Sequence, residues 1–357
     1  MRIGFDARMI GHPGIGRYIR CLIEGILEIS EGEELVLFGD PDKLRVFKGA
    51  EAVEWKAPIY SVREQYGSPY GKAGIDILHV PHFNIPIKYK GKLVVTVHDL
   101  IYLLFPRAVS NPAARWYAGF MFSRIARRAD AVIAVSEHTK SDMARLFGAE
   151  NAERIRVIHE AVSADFRKIE NEEEIKELRV RYDINKPFIL YVGSVKPHKN
   201  VVTLLEVFNR IRAYGLDIQL VIAGRWDTKE NRIRKEVEKE NVKYLGEVPS
   251  EDLHGLYSAA RALVHLSLYE GFGLTVLEAM KCGTPAVVSS TSSLPEVAGE
   301  AALTVNPLNI GQITDTVYNV LINNTLRDGM VEAGYRRVKE FSWRKAAAET
   351  LALYKES

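Results

Sequence analysis

Short runs rich in valine, isoleucine and leucine alternate with longer segments of helical period from one end of this chain to the other, and that alternation leaves few folds open. The runs at 2–5, 35–38, 77–80, 93–97 and 131–135, and then at 188–192, 219–223, 243–244, 262–265, 286–289 and 302–305, are mostly unbroken by polar residues, as strands buried on both faces are. Amphipathic segments such as 16–29, 136–146, 201–214 and 250–260 lie between them. Strand, helix and strand in repetition predict an α/β architecture of parallel, doubly wound sheets. At 357 residues the chain exceeds one ordinary core. A highly charged stretch, Glu170-Asn-Glu-Glu-Glu-Ile-Lys-Glu, separates the two series of strands, and Pro187 opens the second. The expected organisation is a Rossmann-like domain over 1–165, a linker over 166–185, a second Rossmann-like domain over 186–341, and a last helix over 342–357 capped by Ser342. In such sheets ligands bind beyond the C-terminal strand ends.

The formal net charge of +2 gives no overall field toward nucleic acid. No apolar run approaches the roughly 18 residues of a membrane span. Cys21 and Cys282 are far apart, each inside an apolar pattern, and read as buried thiols of a reducing compartment rather than a disulfide. Met1-Arg-Ile-Gly-Phe-Asp6 runs straight into a strand pattern without a signal-peptide core, so the expected location is the cytoplasm. From 100 to 129 there is no acidic residue, while Arg107, Arg115, Arg124, Arg127 and Arg128 mix with Phe105, Trp116, Tyr117, Phe120 and Phe122. That composition suits a peripheral membrane contact or a lipid-phosphate acceptor, and equally a packed helix with a basic outer face.

The segment Glu270-Gly-Phe-Gly-Leu-Thr-Val-Leu-Glu278 follows a strand and enters a helix that Gly283 stops. Gly271 and Gly273 allow backbone to approach a ligand, and N–H groups at a helix N-terminus suit a diphosphate. Two carboxylates can each accept hydroxyl hydrogen bonds from vicinal diols. A buried loop with a carboxylate near the helix start is the plainer alternative.

This segment, with Ala-Met-Lys-Cys-Gly-Thr-Pro285 after it, resembles the Glu-x7-Glu signature of the retaining glycosyltransferase family 4, whose fold is the two-domain GT-B. Other stretches are similar to that family in the same order: Gly14-Ile-Gly-Arg-Tyr18, Val95-Thr-Val-His-Asp-Leu100, Ala134-Val-Ser-Glu-His-Thr139, Tyr191-Val-Gly-Ser-Val-Lys-Pro-His-Lys-Asn200 and Ser292-Ser-Leu-Pro-Glu-Val297. The likeness covers nearly the whole chain and is loosest over the first 90 residues, which face the acceptor in this family. It implies that Glu270 contacts donor-sugar hydroxyls and Glu278 the ribose. Backbone N–H groups of Phe272, Gly273 and Leu274, with the Thr275 hydroxyl, would face the sugar and diphosphate. Lys199 would bind phosphate, and His98 would lie near the reaction centre, a structural His bonded to Asp99 being the alternative. Gly14 and Gly16 would let the first loop close over the diphosphate and the acceptor. Ser194 stands where many relatives carry Arg; Arg225 could supply a second cation or simply face solvent, with Lys196 and His198 as weaker substitutes.

The resemblance thus implies a retaining, metal-independent hexosyltransferase. It would use a nucleotide sugar, GDP-mannose favoured, and a glycan or lipid-linked acceptor, by front-face displacement and without a cofactor. A GT-B synthase or phosphorylase acting on a small sugar, and a non-enzymatic nucleotide-sugar-binding protein, are the competing readings. Asp40-Pro-Asp42 has metal-site spacing but reads as turn chemistry. His79 and His82 lack a third ligand in the sequence, and Ser136 reads as a helix cap.

Overall fold

The computed structural model describes residues 1–12, 14–106, 111–226, 231–237 and 241–357. The chain forms two compact units, Met1–Glu160 with Ser342–Ser357, and Ala161–Phe341.

The first unit runs β1 (Arg2–Asp6), α1 (Ile15–Ile29), β2 (Glu34–Gly39), α2 (Pro41–Leu44), β3 (Glu51–Glu54), α3 (Val62–Tyr66), β4 (Ile77–Val80), β5 (Lys92–Val97), α4 (Ile101–Leu104), α5 (Pro112–Arg128), β6 (Ala131–Ala134), α6 (Glu137–Phe147) and β7 (Ile155–Val157). The second runs α7 (Glu172–Arg181), β8 (Phe188–Val192), α8 (Val201–Ala213), β9 (Gln219–Ala223), α9 (Asn231–Val237), β10 (Val242–Gly246), α10 (Ser250–Ala259), β11 (Ala262–His265), α11 (Leu274–Lys281), β12 (Ala286–Ser289), α12 (Leu294–Ala298), β13 (Leu303–Val305), α13 (Ile310–Ile322) and α14 (Asn324–Val338). The last helix, α15 (Trp343–Glu356), belongs to the first unit.

Both sheets are parallel, in the orders β3-β2-β1-β4-β5-β6-β7 and β10-β9-β8-β11-β12-β13. In each the chain starts near the middle, winds outward to one edge, and returns to the other side of its first strand. The reversals fall between β1 and β4 and between β8 and β11, and at such points the loops leave their neighbours in opposite directions and open a crevice.

Alternation along the strands divides the first unit's core. Ile3, Phe5, Leu35, Leu37 and Ile77 pack toward α1 and α15, while Val36, Phe38, Leu78 and Val80 pack toward α5. Helix α15 lies so close to α1 that a Cβ on Gly25 would stand 3.0 Å from the Trp343 carbonyl. The contact is extended by Arg344–Glu28 at 2.6 Å and Lys355–Glu33 at 2.7 Å. Ser342 caps α15 by accepting from the Lys345 N–H.

Two boundaries differ from expectation. The division falls after Glu160, and the stretch 166–185 is structured within the second unit. Phe166 packs on Tyr257, the Ile169 N–H donates to Ser258 Oγ at 3.0 Å, and α7 is tied to α10 through Arg181–Asp252 at 2.6 Å. Charge density marked an exposed helix face rather than a linker.

Asp40 accepts from Asp42 N–H as the cap of α2 and pairs with Lys56 at 3.2 Å, a turn role. Ser136 caps α6. Both cysteines are buried as thiols.

Candidate active site

In the second unit, two loops leave the sheet at its reversal point. The loop after β8 carries Gly193, Ser194 and Lys196, then a turn of 3-10 helix, Pro197–Lys199. The loop after β11 carries Ser267 and Glu270, and the Leu268 N–H donates to the His198 carbonyl at 2.7 Å, fastening the two together. A Cβ on Gly224 would come within 2.1 Å of the Gly193 carbonyl oxygen, so the loop after β9 also approaches at backbone distance. Gly224 and Gly193 have φ of 140° and 147°, positions where other residues are strained.

The carboxylate of Glu270 is the focus of this cluster. Lys199 Nζ donates to both its oxygens, at 2.6 and 2.7 Å. His265 Nε2 and Ser267 Oγ each reach Oε1 at 2.7 Å. His265 is stacked on Tyr191 with ring centroids 6.0 Å apart. From the loop after β12, Ser292 Oγ accepts from the Glu270 N–H at 2.8 Å, and the Ser293 hydroxyl reaches the Phe272 carbonyl at 2.7 Å. Burial alone would raise the Glu270 carboxyl; Lys199 and His265 outweigh it and hold the group well below the usual carboxylate range.

Helix α11 begins at Gly273, with φ 114° and no side-chain cap, and the buried Thr275 hydroxyl has no hydrogen-bond partner. The N–H groups of its first turn therefore offer an anion site of the kind the two glycines imply. Glu278, one turn on, is buried, and its Oε2 accepts from the Tyr257 hydroxyl at 2.8 Å. Arg225 is exposed, and its carbonyl accepts from Val195 N–H at 2.9 Å, which places it beside Ser194. The Tyr191 hydroxyl donates to the Ser194 carbonyl. His198 does not serve as a substitute cation: burial, and then Lys199, push it down to about 3, so it is neutral near pH 7.

In the first unit, Gly14 opens α1 with φ 79°, and a Cβ on Gly16 would lie 2.4 Å from the Ile10 carbonyl oxygen. His98 follows β5. Its Nδ1 meets Glu160 at 2.9 Å and its Nε2 meets the Pro81 carbonyl at 3.0 Å. The Pro81 carbonyl can only accept, so Nε2 carries hydrogen, and the Glu160 carboxyl faces Nδ1. Burial would lower His98, yet the Glu160 carboxylate raises it overall. The alternative partner Asp99 is used elsewhere, accepting from Ile101 N–H at 2.9 Å. Tyr18 stands edge-on to the His98 ring at 4.7 Å, and its hydroxyl bonds Thr96, which bonds His79 at 2.7 Å; His79 in turn meets the Tyr354 hydroxyl of α15.

At the β1–β4 reversal lies a buried ionic network that the sequence did not suggest. Arg8 donates to Asp6 at 2.6 and 2.9 Å and to Glu64 at 2.6 Å. Tyr70 donates to Asp6 at 3.0 Å. Asn84 joins Glu64 to the Tyr117 hydroxyl.

The sequence pointed to roles for Glu270, Lys199 and Glu278 but to none for His265, Ser267, Ser292, Asp6, Arg8 or Glu160. Asp6 ends the first strand and Arg8 follows two residues on, the one signal that could have found them. Among the described residues, no three His, Cys, Asp or Glu side chains are grouped to hold a metal ion. An open depression of about 630 Å³ against α7, lined by Glu172, Lys176 and Arg179 among others, contains none of the residues above. On α5, Trp116 and Phe120 stack on each other and are exposed, with Arg115 and Arg127 exposed beside them; Arg107 lies outside the described residues.

Comparison with known proteins shows the family and the fold. Residues 173–337 match the family model described as Glycosyl transferases group 1, and residues 60–166 that of Glycosyltransferase Family 4. O-antigen chain mannosyltransferase B of Escherichia coli is 28% identical over 391 residues, which cover 99% of this chain and 100% of that one. The MMP alpha-(1->4)-mannosyltransferase of Mycolicibacterium hassiacum is 30% identical over 300 residues, 80% of this chain and 68% of that one. Anabaena HepE, solved in complex with UDP and glucose, has a similar fold, with a TM-score of 0.75 at 19% identity over 99% of both chains.

Proposed function

Because the chain belongs to the group 1 glycosyl transferases and has their two-domain GT-B fold, we propose that it transfers a hexose, mannose in the first place, from a nucleotide diphosphate sugar to a glycan or lipid-linked acceptor with retention at the anomeric carbon. The observation that carries this reading is the Glu270 cluster: a cation, a carboxylate and an uncapped helix start converge at the β8–β11 reversal. The leaving nucleoside diphosphate gains negative charge in the transition state, and charges already fixed in place stabilise it without reorganisation. Lys199, the α11 N–H groups and Arg225 supply that positive potential, with no metal ion in the scheme. Glu270 offers its carboxylate to sugar hydroxyls, and Glu278 exchanges the Tyr257 hydroxyl for those of the ribose. The Glu160 carboxylate raises the His98 pKa, which favours a role for the ring through its positive charge over one as a proton acceptor. The leaving phosphate helps to deprotonate the acceptor hydroxyl on the front face. GDP-mannose is preferred as donor because two relatives are mannosyltransferases by name.

Incubation with GDP-mannose, UDP-glucose and ADP-glucose, with release of the nucleoside diphosphate followed, tests the reading. Release from GDP-mannose is expected, with an α-linked product by NMR, and Lys199→Met should slow it about 100-fold or more. No release from any donor would leave a binding protein, and a trapped covalent glycosyl-enzyme would end the front-face scheme.

We further propose that the protein works in the cytoplasm, touching the membrane through the exposed basic and aromatic face of α5. No helix among the described residues is long and apolar enough to cross a membrane. Sedimentation with anionic liposomes should show salt-sensitive binding that Trp116→Ser weakens.

A further inference from the structure

The Glu270 carboxylate is held unevenly. Its Oε1 receives three donors, Lys199 Nζ at 2.6 Å, His265 Nε2 at 2.7 Å and Ser267 Oγ at 2.7 Å, whereas Oε2 receives Lys199 alone, at 2.7 Å. A carboxylate has about four acceptor positions, shared between its two oxygens. Oε1 is therefore saturated within the protein, and Oε2 keeps a position open. The imbalance survives a change at Lys199: with the ammonium turned toward a phosphate, Oε1 still holds two donors and Oε2 none. The backbone of the same residue is fixed as well. Ser292 Oγ accepts from its N–H at 2.8 Å, and the hydroxyls of Ser292 and Ser293 each reach its carbonyl at 3.1 Å. What remains for a ligand is the open oxygen of a side chain that is 13% exposed.

The residue that creates this imbalance is not one that packing selects. His265 is the last residue of β11 and is 1% exposed. Against burial, Lys199 and His265 hold the Glu270 carboxyl well below its usual range, so the carboxylate accepts and does not donate. The bond from His265 therefore places hydrogen on Nε2. The other ring nitrogen, Nδ1, is buried and has no hydrogen-bond partner among the described residues. A buried polar atom left unsatisfied destabilises the fold. The imidazole stacks on Tyr191 with the two planes 12° apart. A phenylalanine ring would fill that place without an orphaned nitrogen. The Nε2–H directed at Oε1 is what the histidine adds.

We propose that His265 is a positioning residue: together with Ser267 it pins Oε1 of Glu270, so that Oε2 is the oxygen that accepts from a hydroxyl of the donor sugar. The role rests on the reading of Glu270 as the group that meets that sugar. A carboxylate free to turn would offer either oxygen and would lose orientation on binding, whereas one pinned through Oε1 presents Oε2 in a single direction before the ligand arrives. His265 touches no ligand in this scheme and acts through Glu270 alone.

Isothermal titration calorimetry tests this without turnover, by comparing a nucleotide sugar with its own nucleoside diphosphate. The ligand is whichever of GDP-mannose, UDP-glucose and ADP-glucose the wild type binds most tightly, with GDP, UDP or ADP as its counterpart. His265→Phe keeps the stacked ring and loses the donor. It should weaken the nucleotide sugar about tenfold and the nucleoside diphosphate less than about twofold. His265→Gln, whose amide N–H reaches near the place of Nε2–H, should recover most of the loss. Ser267→Ala, a smaller change, should act in the same direction, about threefold. In a Glu270→Gln background His265→Phe should weaken binding no further. In crystals of the complex, a sugar hydroxyl should lie within about 3.2 Å of Oε2. Equal losses for both ligands, losses that add to those of Glu270→Gln, unchanged affinity in His265→Phe, or a sugar hydroxyl bonded to Oε1 instead would overturn the proposal. If the calorimetric pattern holds but no donor is turned over, the positioning role stands and the transfer reading fails. If the wild type turns over a donor and His265→Phe matches it in kcat and KM, the transfer reading stands and the positioning role fails. If none of the three nucleotide sugars binds, both fail.

Discussion

Replacing Glu270 by Gln probes the Glu270 cluster most directly. The carboxylate accepts from Lys199 through both oxygens, from His265 and from Ser267, all within 2.7 Å, and the side chains of Glu270 and Lys199 are only 13% and 18% exposed. A glutamine keeps the shape but loses the charge, and its amide N–H₂ must face either an ammonium or the imidazole. Breaking a buried ion pair from one side costs about 3–5 kcal/mol; the residual exposure puts Glu270→Gln near the lower end, about 3 kcal/mol. Lys199→Met leaves Glu270 the bonds from His265 and Ser267 and should cost about 2 kcal/mol on the same scale. The double variant has no isolated charge, so the two losses should fall short of additivity by about 2 kcal/mol. Native-state amide exchange of β8 and β11 reads these values in the second unit itself. The pH dependence fixes the sign. The carboxyl is depressed in the folded protein relative to its ordinary 4.5, so its contribution is complete above that value and is lost as pH falls through the folded pKa. The gap between wild type and Glu270→Gln should be constant from pH 7 to about pH 5 and should close below it. Losses under about 0.5 kcal/mol each, or strict additivity, would show that the contacts lack the assigned strength.

Three further outcomes are expected. Glu160→Gln should lower the His98 pKa, seen in the titration of its ring C–H signals; because the folded value is raised, the pair's stabilisation, about 1.5–3 kcal/mol, is present at acid pH and lost as pH rises through that value. Gly224→Ala should destabilise the second unit by about 2 kcal/mol or more in urea, since its Cβ meets backbone of Gly193 and its φ is 140°. Tyr354→Phe should cost about 1–3 kcal/mol in thermal unfolding, because it leaves a nitrogen of fully buried His79 without its partner.

Strands in the sheet interiors were legible because burial on both faces writes itself as an unbroken apolar run: β1, β4, β5, β8, β9 and β11 all coincide with such runs. In the first unit the edge strands were not, whereas those of the second, β10 and β13, fall on the runs at 243–244 and 302–305. β3 is Glu-Ala-Val-Glu, mostly exposed, and β7 is three residues long; each pairs on one side only and needs no continuous apolar stretch. Glu64 carried no signal of its inward role. In Ser61-Val-Arg-Glu64 it has the spacing of a helix-start residue, and Ser61 does cap α3, but the carboxylate turns inward to Arg8. His98 shows the limit at the level of a single contact. Asp99 is its sequence neighbour, whereas the partner is Glu160, 62 residues away.

Those misses share one physical cause. In a parallel sheet each side chain at a strand end meets residues brought by the neighbouring strand, and the neighbour is set by winding order rather than by sequence distance. Lys199 and Glu270 are 71 residues apart and touch because β8 lies beside β11; Arg8 and Glu64 are 56 apart and meet at the strand ends where β1 adjoins β4. Periodicity reveals that strands exist but carries no information on their order, so it identifies the residues near strand ends without pairing them. Once the order is known, the two reversal points are set, and each proves to hold a buried carboxylate bound to a cation. At β8–β11 the carboxylate is matched by a single lysine beside an uncapped helix start, a surrounding of positive potential suited to a diphosphate. At β1–β4 one arginine is shared by two carboxylates, those of Asp6 and Glu64, and the group is closed to solvent. The same topological device thus fixes a loop in each unit, and in the second it leaves an uncapped helix start beside the fixed charges.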